Sequence, residues 1–181
     1  MRPEDVPAGP LCIDTDAFSF LYLRKDPHRR FRELVDGHLL VVSFATVGEL
    51  RAGAIKARWG EARRANLERV LRENYLVLTA TDAVVESYAQ LRARFAGRLK
   101  DGGINDMWTA ACALAQPEPV PIVTNNLSDF QAITEEFPLT VPDVSTSVDG
   151  RWCAGRGAVR TVLTAACHIR WSCPTRPVVL A

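Results

Sequence analysis

The sequence predicts an α/β fold, a three-layer α/β/α arrangement around a mainly parallel sheet of about four to five strands. Short apolar runs rich in branched residues alternate along the chain with longer segments whose apolar residues recur at helical spacing. Such alternation implies crossover connections, which place helices on both faces of the sheet. The chain has 181 residues, 48% of them hydrophobic and 24% charged, which is enough for one domain with a substantial core.

The first strand is predicted at "PLCID", a short apolar run that ends in Asp14, as a buried parallel strand often does. A helix over residues 16–23 follows, and Thr15 or Asp16 can cap its first turn. Residues 27–36 form a further helix behind a first-turn proline, with apolar residues at helical spacing.

The second strand is predicted at "HLLVVS", which is rich in branched residues. Ser43 or Thr46 can cap the helix that comes next. The segment "EARRANLERVLREN" is amphipathic and predicts another helix. It leads into "YLVLTA", the third strand.

The same signals predict the helices and strands of the second half of the domain. Its predicted elements are, in order, a helix from Thr81 or Asp82 to about Phe95, the apolar helix "INDMWTAACALA", a fourth strand in "VPIVTNN", a short helix over "LSDFQAI" and a fifth strand in "PLTVP". Because ligands of parallel sheets bind beyond the carboxyl ends of the strands, that edge is where a site is expected.

Composition and charge narrow the classes of function. The net charge is +1, which excludes binding to nucleic acid by bulk charge alone but allows a local basic rim. The five cysteines include no CxxC pair, so neither a zinc site nor a disulfide framework is expected. No apolar run reaches the length of a membrane span or forms a signal peptide. The expectation is a reduced, cytoplasmic protein without a membrane segment.

Four acidic residues fall where a strand ends or a helix begins, and so are expected at one edge of the sheet. They are Asp14, Glu49, Asp106 and Asp129. Each alone has a structural explanation as a strand end, a cap or a first-turn acid. Together they would repel one another, by about 4 kcal/mol for two charges 4 Å apart at an effective dielectric of ~20. A cation offsets such repulsion, and oxygen ligands without His or Cys suit Mg²⁺ or Mn²⁺, which promote phosphodiester hydrolysis.

Four stretches of this sequence, in this order and at these separations, resemble the PIN-domain ribonucleases, and most closely the VapC toxins of bacterial toxin–antitoxin pairs. The stretches are "LCIDTDAFSFL", "SFATVGELRAG", "INDMWTAACALA" and "VPIVTNNLSDF". The resemblance implies a PIN-like nuclease domain over residues 11–143. Residues 1–10 are then an N-terminal lead-in, and residues 144–181 are a C-terminal extension to which no role is assigned.

The resemblance also implies roles for individual residues. The catalytic, metal-binding acids are Asp14, Glu49, Asp106 and Asp129, and their cofactor is Mg²⁺ or Mn²⁺. Thr124 and Asn126 are supporting polar groups that orient carboxylates or a metal-bound water. Asp16 is either a fifth acid at the edge of the site or a helix cap.

The activity that the resemblance implies is metal-dependent endoribonuclease activity, as the toxin of a type II toxin–antitoxin system. Hydrolysis of RNA, such as tRNA or another structured RNA, would leave 5′-phosphate and 3′-hydroxyl ends. The implied partners are a cognate antitoxin protein and a second copy of the chain in a homodimer. Candidates for a basic rim that grips RNA are Arg24, Lys25, Arg29, Arg30, Arg51, Lys56, Arg58, Arg98 and Lys100.

Two other functions remain open from the sequence. The opening "IDTD" also resembles the haloacid-dehalogenase phosphatases, with Asp14 as nucleophile and Asp16 as acid/base. Against that function, Phe18 stands where those enzymes prefer Thr or Val, and no later strand ends in their acid pair. A catalytically inactive PIN-like module that only binds RNA is the second alternative, and the intact set of acids argues against it.

Overall fold

The computed structural model describes residues 6–23, 28–95, 97 and 103–144. Within these residues a single sheet holds four strands, all parallel, in the order β3-β2-β1-β4. The strands are β1 (Pro10–Ile13), β2 (Leu39–Ser43), β3 (Leu76–Leu78) and β4 (Ile122–Val123). The predicted α/β class with a mainly parallel sheet is therefore confirmed.

The strands alternate with helices, as the sequence pattern requires. The helices of the described segments are α1 (Thr15–Leu23), α2 (His28–Val35), α3 (Phe44–Lys56), α4 (Glu61–Asn74), α5 (Asp82–Phe95), α6 (Ile104–Leu114) and α7 (Leu127–Glu136). None of them is both long enough and apolar enough to cross a lipid bilayer.

Strand β1 is the centre of the fold because it is buried on both faces. Leu11 and Ile13 of β1 pack into a hydrophobic cluster formed with α1 to α4. Cys12, which lies between them, packs into a second cluster formed with α5, α6 and α7. Successive side chains of a strand point to opposite faces, so one short apolar run serves both cores. That double burial explains why "LCI" is apolar without alternation.

A buried group of hydroxyls joins the end of β2 to the first turn of α3 and the second turn of α6. Ser43 Oγ accepts from the backbone N–H of Thr46 at 3.0 Å, so Ser43 is the N-cap of α3. The same oxygen lies 2.9 Å from Thr109 Oγ1 on α6 and 3.0 Å from Thr46 Oγ1. All three residues are buried. This group ties together the two helices that carry Glu49 and Asp106.

We expect Thr109→Val to lower the free energy of unfolding by about 1 kcal/mol, because it removes a buried hydrogen bond while keeping the side-chain volume. Urea denaturation followed by circular dichroism measures the change. The matched control is Thr134→Val, since the Thr134 hydroxyl bonds to Gln131 O in an exposed setting and its loss should cost no more than about 0.5 kcal/mol. Equal stability of Thr109→Val and the wild type would show that the hydroxyl group contributes nothing.

The fifth strand predicted in "PLTVP" does not form. Residues 138–142 are irregular, and their link to the sheet is the bond from Ile122 N–H to Thr140 O at 2.9 Å. Pro138 and Pro142 lack the N–H that a strand ladder needs, which limits pairing to an isolated contact. Of the predicted C-terminal extension, residues 145–181 lie outside the described residues, as do residues 1–5 of the lead-in.

Candidate active site

The structure brings the predicted acids to the carboxyl edge of the sheet. Asp14 directly follows β1, and Glu49 lies in the second turn of α3, the helix that leaves β2. Asp129 lies in the first turn of α7, which follows β4, and Asp106 lies in the first turn of α6. Because β2, β1 and β4 are adjacent and parallel, the chain segments that leave them start at one edge of the sheet.

Asp14 is the most enclosed of these acids, with 8% of its surface exposed. Its Oδ1 accepts from Thr15 N–H at 2.7 Å, and its Oδ2 accepts from Thr124 Oγ1 at 3.0 Å. Burial raises the pKa of Asp14 to about 7, and the negative charges of Asp16 and Asp106 add to that rise against the two hydrogen bonds.

Glu49 is held by two side chains that flank other acids of the cluster. Thr15 Oγ1 donates to Glu49 Oε2, and Asn105 Nδ2 donates to Glu49 Oε1 at 2.6 Å. Thr15 neighbours Asp14 and Asn105 neighbours Asp106, so these bonds draw α3 toward the starts of α1 and α6. Neither contact was predicted from the sequence; a polar residue beside each candidate acid was the available signal.

Asp106 interacts electrostatically with three other acids of the cluster. Burial raises the pKa of Asp106 to about 6, and the negative charges of Asp129, Glu49 and Asp16 contribute to the rise. Among the described residues, no donor forms a hydrogen bond with the Asp106 carboxylate. This carboxylate is therefore the one that the surrounding side chains leave available for a ligand.

The loop between β4 and α7 is organised by Thr124 and Asn126. Thr124 is buried, and its Oγ1 accepts from Asn126 N–H at 3.0 Å while it lies next to Asp14. Asn126 Nδ2 donates to Asp129 Oδ2, and Asn126 Oδ1 accepts from Ser128 Oγ at 2.8 Å. Thr124 and Asn126 therefore each donate to one of the candidate carboxylates.

Asp16 ties the same loop to the start of α1. Its Oδ1 accepts from Ala17 N–H at 2.5 Å and from Thr124 Oγ1 at 3.2 Å, and its Oδ2 accepts from Asn125 N–H at 3.0 Å. Burial raises the pKa of Asp16, and the charge of Asp129 contributes to the rise. Both carboxylate oxygens thus already have partners, and two of the three donors lie on a loop more than 100 residues away.

The five acids form an electrostatic cluster, but not a finished metal cage. In the part of the chain that the structure describes, no three Asp, Glu, His or Cys side chains converge on one point as ligands of a single ion. Glu49 and Asp129 are instead each held by donors on the protein. Mg²⁺ commonly takes one or two carboxylates and keeps several waters. The hard oxygen donors and the raised pKa values of Asp14 and Asp106 therefore fit Mg²⁺ or Mn²⁺.

Solved structures of similar fold come from bacterial VapBC and related complexes. A chain of VapBC-1 from nontypeable Haemophilus influenzae is 24% identical, with a TM-score of 0.60 over 76% of this chain and 99% of that chain. VapBC-5 from Mycobacterium tuberculosis, a member of the VapBC family of toxin–antitoxin systems, is 25% identical, with a TM-score of 0.53 over 75% and 98%. FitAcB from Neisseria gonorrhoeae is 21% identical, with a TM-score of 0.55 over 75% and 98%.

Comparison by sequence gives a family as well as a fold. No curated protein sequence matches this chain. The family model described as "PIN domain" matches residues 11–133, which is more than half of the chain and includes every acid of the cluster. The match agrees with the four-stranded parallel sheet and its helices. The chain therefore belongs to the PIN domain family.

Proposed function

We propose that this protein is a metal-dependent endoribonuclease and the toxin of a type II toxin–antitoxin pair. The observation that carries the proposal is the electrostatic cluster of Asp14, Asp16, Glu49, Asp106 and Asp129 at the carboxyl edge of a PIN domain. A cation bound there would offset both the burial, which is the larger cause of the raised pKa values, and the repulsion between the acids.

In the proposed site Asp14 and Asp106 would hold the ion, and Glu49 and Asp129 would supply further carboxylate oxygens. When bound, Mg²⁺ or Mn²⁺ supplies positive charge that stabilises the phosphoryl oxygens and acidifies a water molecule. Thr124 fixes the rotamer of Asp14. Thr15 and Asn105 aim Glu49, and Asn126 aims Asp129. Hydrolysis of RNA at this site would leave 5′-phosphate and 3′-hydroxyl ends.

The proposal includes two protein partners. Several structures of similar fold are VapBC complexes, and one is described as a toxin–antitoxin complex from Klebsiella pneumoniae. By that likeness, a cognate antitoxin would restrain this protein, and two copies would associate as a homodimer. A structured RNA such as tRNA is the proposed substrate class.

A phosphatase that uses Asp14 and Asp16 is not favoured by the geometry. The Asp16 carboxylate accepts hydrogen bonds from Ala17, Thr124 and Asn125, so it supports a loop where a phosphatase needs a free acid/base. The other alternative, an inactive module that binds RNA, makes the same contacts with RNA but leaves it intact. A cleavage assay separates it from the nuclease.

We expect the purified protein to cleave RNA in the presence of Mn²⁺ or Mg²⁺ and to lose this activity completely in excess EDTA. Mapping of the RNA ends should find 5′-phosphates. Expression should arrest growth, and expression of the protein encoded beside it should relieve the arrest. Cleavage that persists in EDTA would contradict a metal-dependent mechanism, and RNA binding without cleavage at any metal concentration would favour the inactive module.

A further inference from the structure

The carboxylate of Asp16 connects the start of α1 to the loop between β4 and α7. Strand β4 is only two residues long, and its pairing with β1 ends at Ile13 and Val123. Asp14 N–H then donates to Val123 O at 3.0 Å. Beyond that bond the connection is continued by side chains, and Asp16 accepts hydrogen bonds from both Thr124 and Asn125.

Two backbone N–H groups orient the Asp16 carboxylate. Its Oδ1 accepts from Ala17 N–H at 2.5 Å, and its Oδ2 accepts from Asn125 N–H at 3.0 Å. Because a backbone N–H can only donate, the side chain must offer an acceptor at both positions. Asparagine would turn its NH₂ group toward one of the two donors. The backbone therefore requires a carboxylate here and holds it in one orientation.

The hydroxyl group of Thr124 lies between the carboxylates of Asp14 and Asp16. Its Oγ1 is 3.0 Å from Asp14 Oδ2 and 3.2 Å from Asp16 Oδ1, and it accepts from Asn126 N–H at 3.0 Å. A hydroxyl group has a single hydrogen to donate. Since Thr124 is fully buried, its hydrogen bonds are made within the protein. Two carboxylates thus compete for one hydrogen.

Thr124 can change its acceptor when Asp14 binds a cation. A carboxylate that coordinates a cation has less negative charge available for a hydrogen bond, so Asp16 becomes the stronger acceptor of the two. The change needs only a rotation of the Thr124 hydroxyl group, because Asp16 is already oriented. Without Asp16, the buried hydroxyl would either keep its bond with Asp14 in competition with the cation or lose its acceptor, and both are unfavourable.

We propose that Asp16 is a positioning residue that accepts the Thr124 hydroxyl hydrogen when Asp14 binds Mg²⁺ or Mn²⁺. The inference rests on the proposed metal-dependent function. It adds a way in which the affinity of Asp14 for the cation depends on a side chain that does not touch the cation. Asp16 then supports the site through Thr124, which neither a helix cap nor a fifth ligand would do.

Direct binding of the cation by Asp16 is the competing explanation. Oδ1 accepts from Ala17 and Thr124, which uses both of its lone pairs, whereas Oδ2 accepts from Asn125 and retains a second lone pair. We favour the positioning role because the bond with Thr124 already exists in the structure. Ligation through Oδ2 would instead weaken the bond from Asn125 N–H.

A double-mutant cycle on metal binding tests the proposal. Isothermal titration calorimetry with Mg²⁺ or Mn²⁺, in the absence of RNA, measures the dissociation constant of the metal alone. We expect Asp16→Ala to weaken binding about tenfold more in the protein with Thr124 than in a Thr124→Val background, since a hydrogen bond to a charged group is worth about tenfold or more. Thermal unfolding establishes which variants are folded, and Thr124→Ala replaces Thr124→Val if the valine variant does not fold.

Two further backgrounds make the test specific to this hydroxyl group. Thr124→Ser keeps a hydroxyl and should restore the full effect of Asp16→Ala. Ser128→Ala is the matched control, because it removes a hydroxyl from the first turn of α7 that donates to Asn126 Oδ1 at 2.8 Å. In that background the effect of Asp16→Ala should be as large as in the wild type.

An equal effect of Asp16→Ala in every background would assign Asp16 to direct ligation or to the overall charge of the site, and would overturn the inference. So would the absence of any effect on metal binding. Cleavage of RNA decides the nuclease proposal separately. If the wild type binds metal and cleaves RNA but shows no coupling between Asp16 and Thr124, this inference alone is wrong. If the wild type neither binds metal nor cleaves RNA, both proposals are wrong.

Discussion

We expect Asp106→Asn to reduce RNA cleavage at least about 100-fold while the protein remains folded. Removal of one group that stabilises transition-state charge typically costs a factor of 10²–10³. Asp106 interacts with the charges of Asp129, Glu49 and Asp16, and the described residues leave its carboxylate without a hydrogen-bond donor. Asparagine keeps the shape and removes the charge that the cation needs, so the loss should appear in the chemical step and in metal affinity.

Single-turnover cleavage of labelled RNA across a Mn²⁺ titration measures this effect. The matched control is Asp82→Asn, which changes an exposed acid in the first turn of α5 and should cleave RNA at the wild-type rate. Thermal unfolding and circular dichroism establish that both variants are folded. A rate for Asp106→Asn within tenfold of the wild type, at saturating metal, would remove Asp106 from the proposed site.

The second large effect concerns stability without metal: Asp14→Asn should be more stable than the wild type at pH 7.5 in EDTA. The folded pKa of Asp14 is about 7, against an ordinary value of 3.8, so the folded state binds more protons than the unfolded state between these values. The contribution of Asp14 to the free energy of unfolding therefore falls as pH rises from about 4 to about 7. The difference between variant and wild type should be on the order of 2–4 kcal/mol above pH 7 and should vanish near pH 4.

Asparagine suits this position because its amide nitrogen can donate to Thr124 Oγ1, while its oxygen can accept from Thr15 N–H as the carboxylate does. Mg²⁺ or Mn²⁺ should reverse the order of stability. Metal at 1,000 times its dissociation constant stabilises the wild type by about 4.1 kcal/mol, which exceeds this difference, and should leave Asp14→Asn unchanged.

Thermal unfolding from pH 4 to pH 8, with and without Mn²⁺, measures both parts of this prediction. Asp36→Asn, on an exposed residue just after α2, should follow the wild-type curve throughout. If the metal-free wild type gains stability relative to Asp14→Asn between pH 4 and pH 7, or if Asp14→Asn is the less stable protein at pH 7.5, then burial does not destabilise the ionised Asp14.

Local signals in the sequence were sufficient to predict most of the fold. The double burial of β1 gives a continuous apolar run, and Ser43 has the side chain of an N-cap at the start of α3. The prediction of a fifth strand was wrong because apolar composition was weighed above the two prolines, whose missing N–H groups prevent pairing. In residues 138–142 the missing N–H groups of the prolines therefore had more effect than the apolar composition.

The sequence predicted where the acids of the candidate site lie, but not the hydrogen bonds that hold them. An acid after a strand or at the start of a helix is visible in sequence, and parallel topology brings such residues to one edge. The bonds that hold them are not visible, because Thr15 meets Glu49 across 34 residues and Asn105 meets Glu49 across 56. The same holds for Asp16, whose three donors include an amide of a distant loop.

The predicted basic rim shows a different gap. Of the rim candidates, Arg51 and Lys56 lie in α3 and Arg58 follows its end, while Arg24, Lys25, Arg98 and Lys100 fall outside the described residues. Arg51 forms a bidentate pair with Glu68, 17 residues away, which no local pattern in the sequence predicts.

The pairing of β1 with β4 has a consequence for biosynthesis. Ile13 pairs with Val123, and Asp14 accepts a hydrogen bond from Thr124. Strand β1 is therefore completed only by a segment that is translated 110 residues later. A nascent or prematurely terminated chain that stops before β4 has the first four acids but neither the central strand's second neighbour nor Asp129. The order of translation thus delays completion of the cluster until nearly the whole domain has left the ribosome.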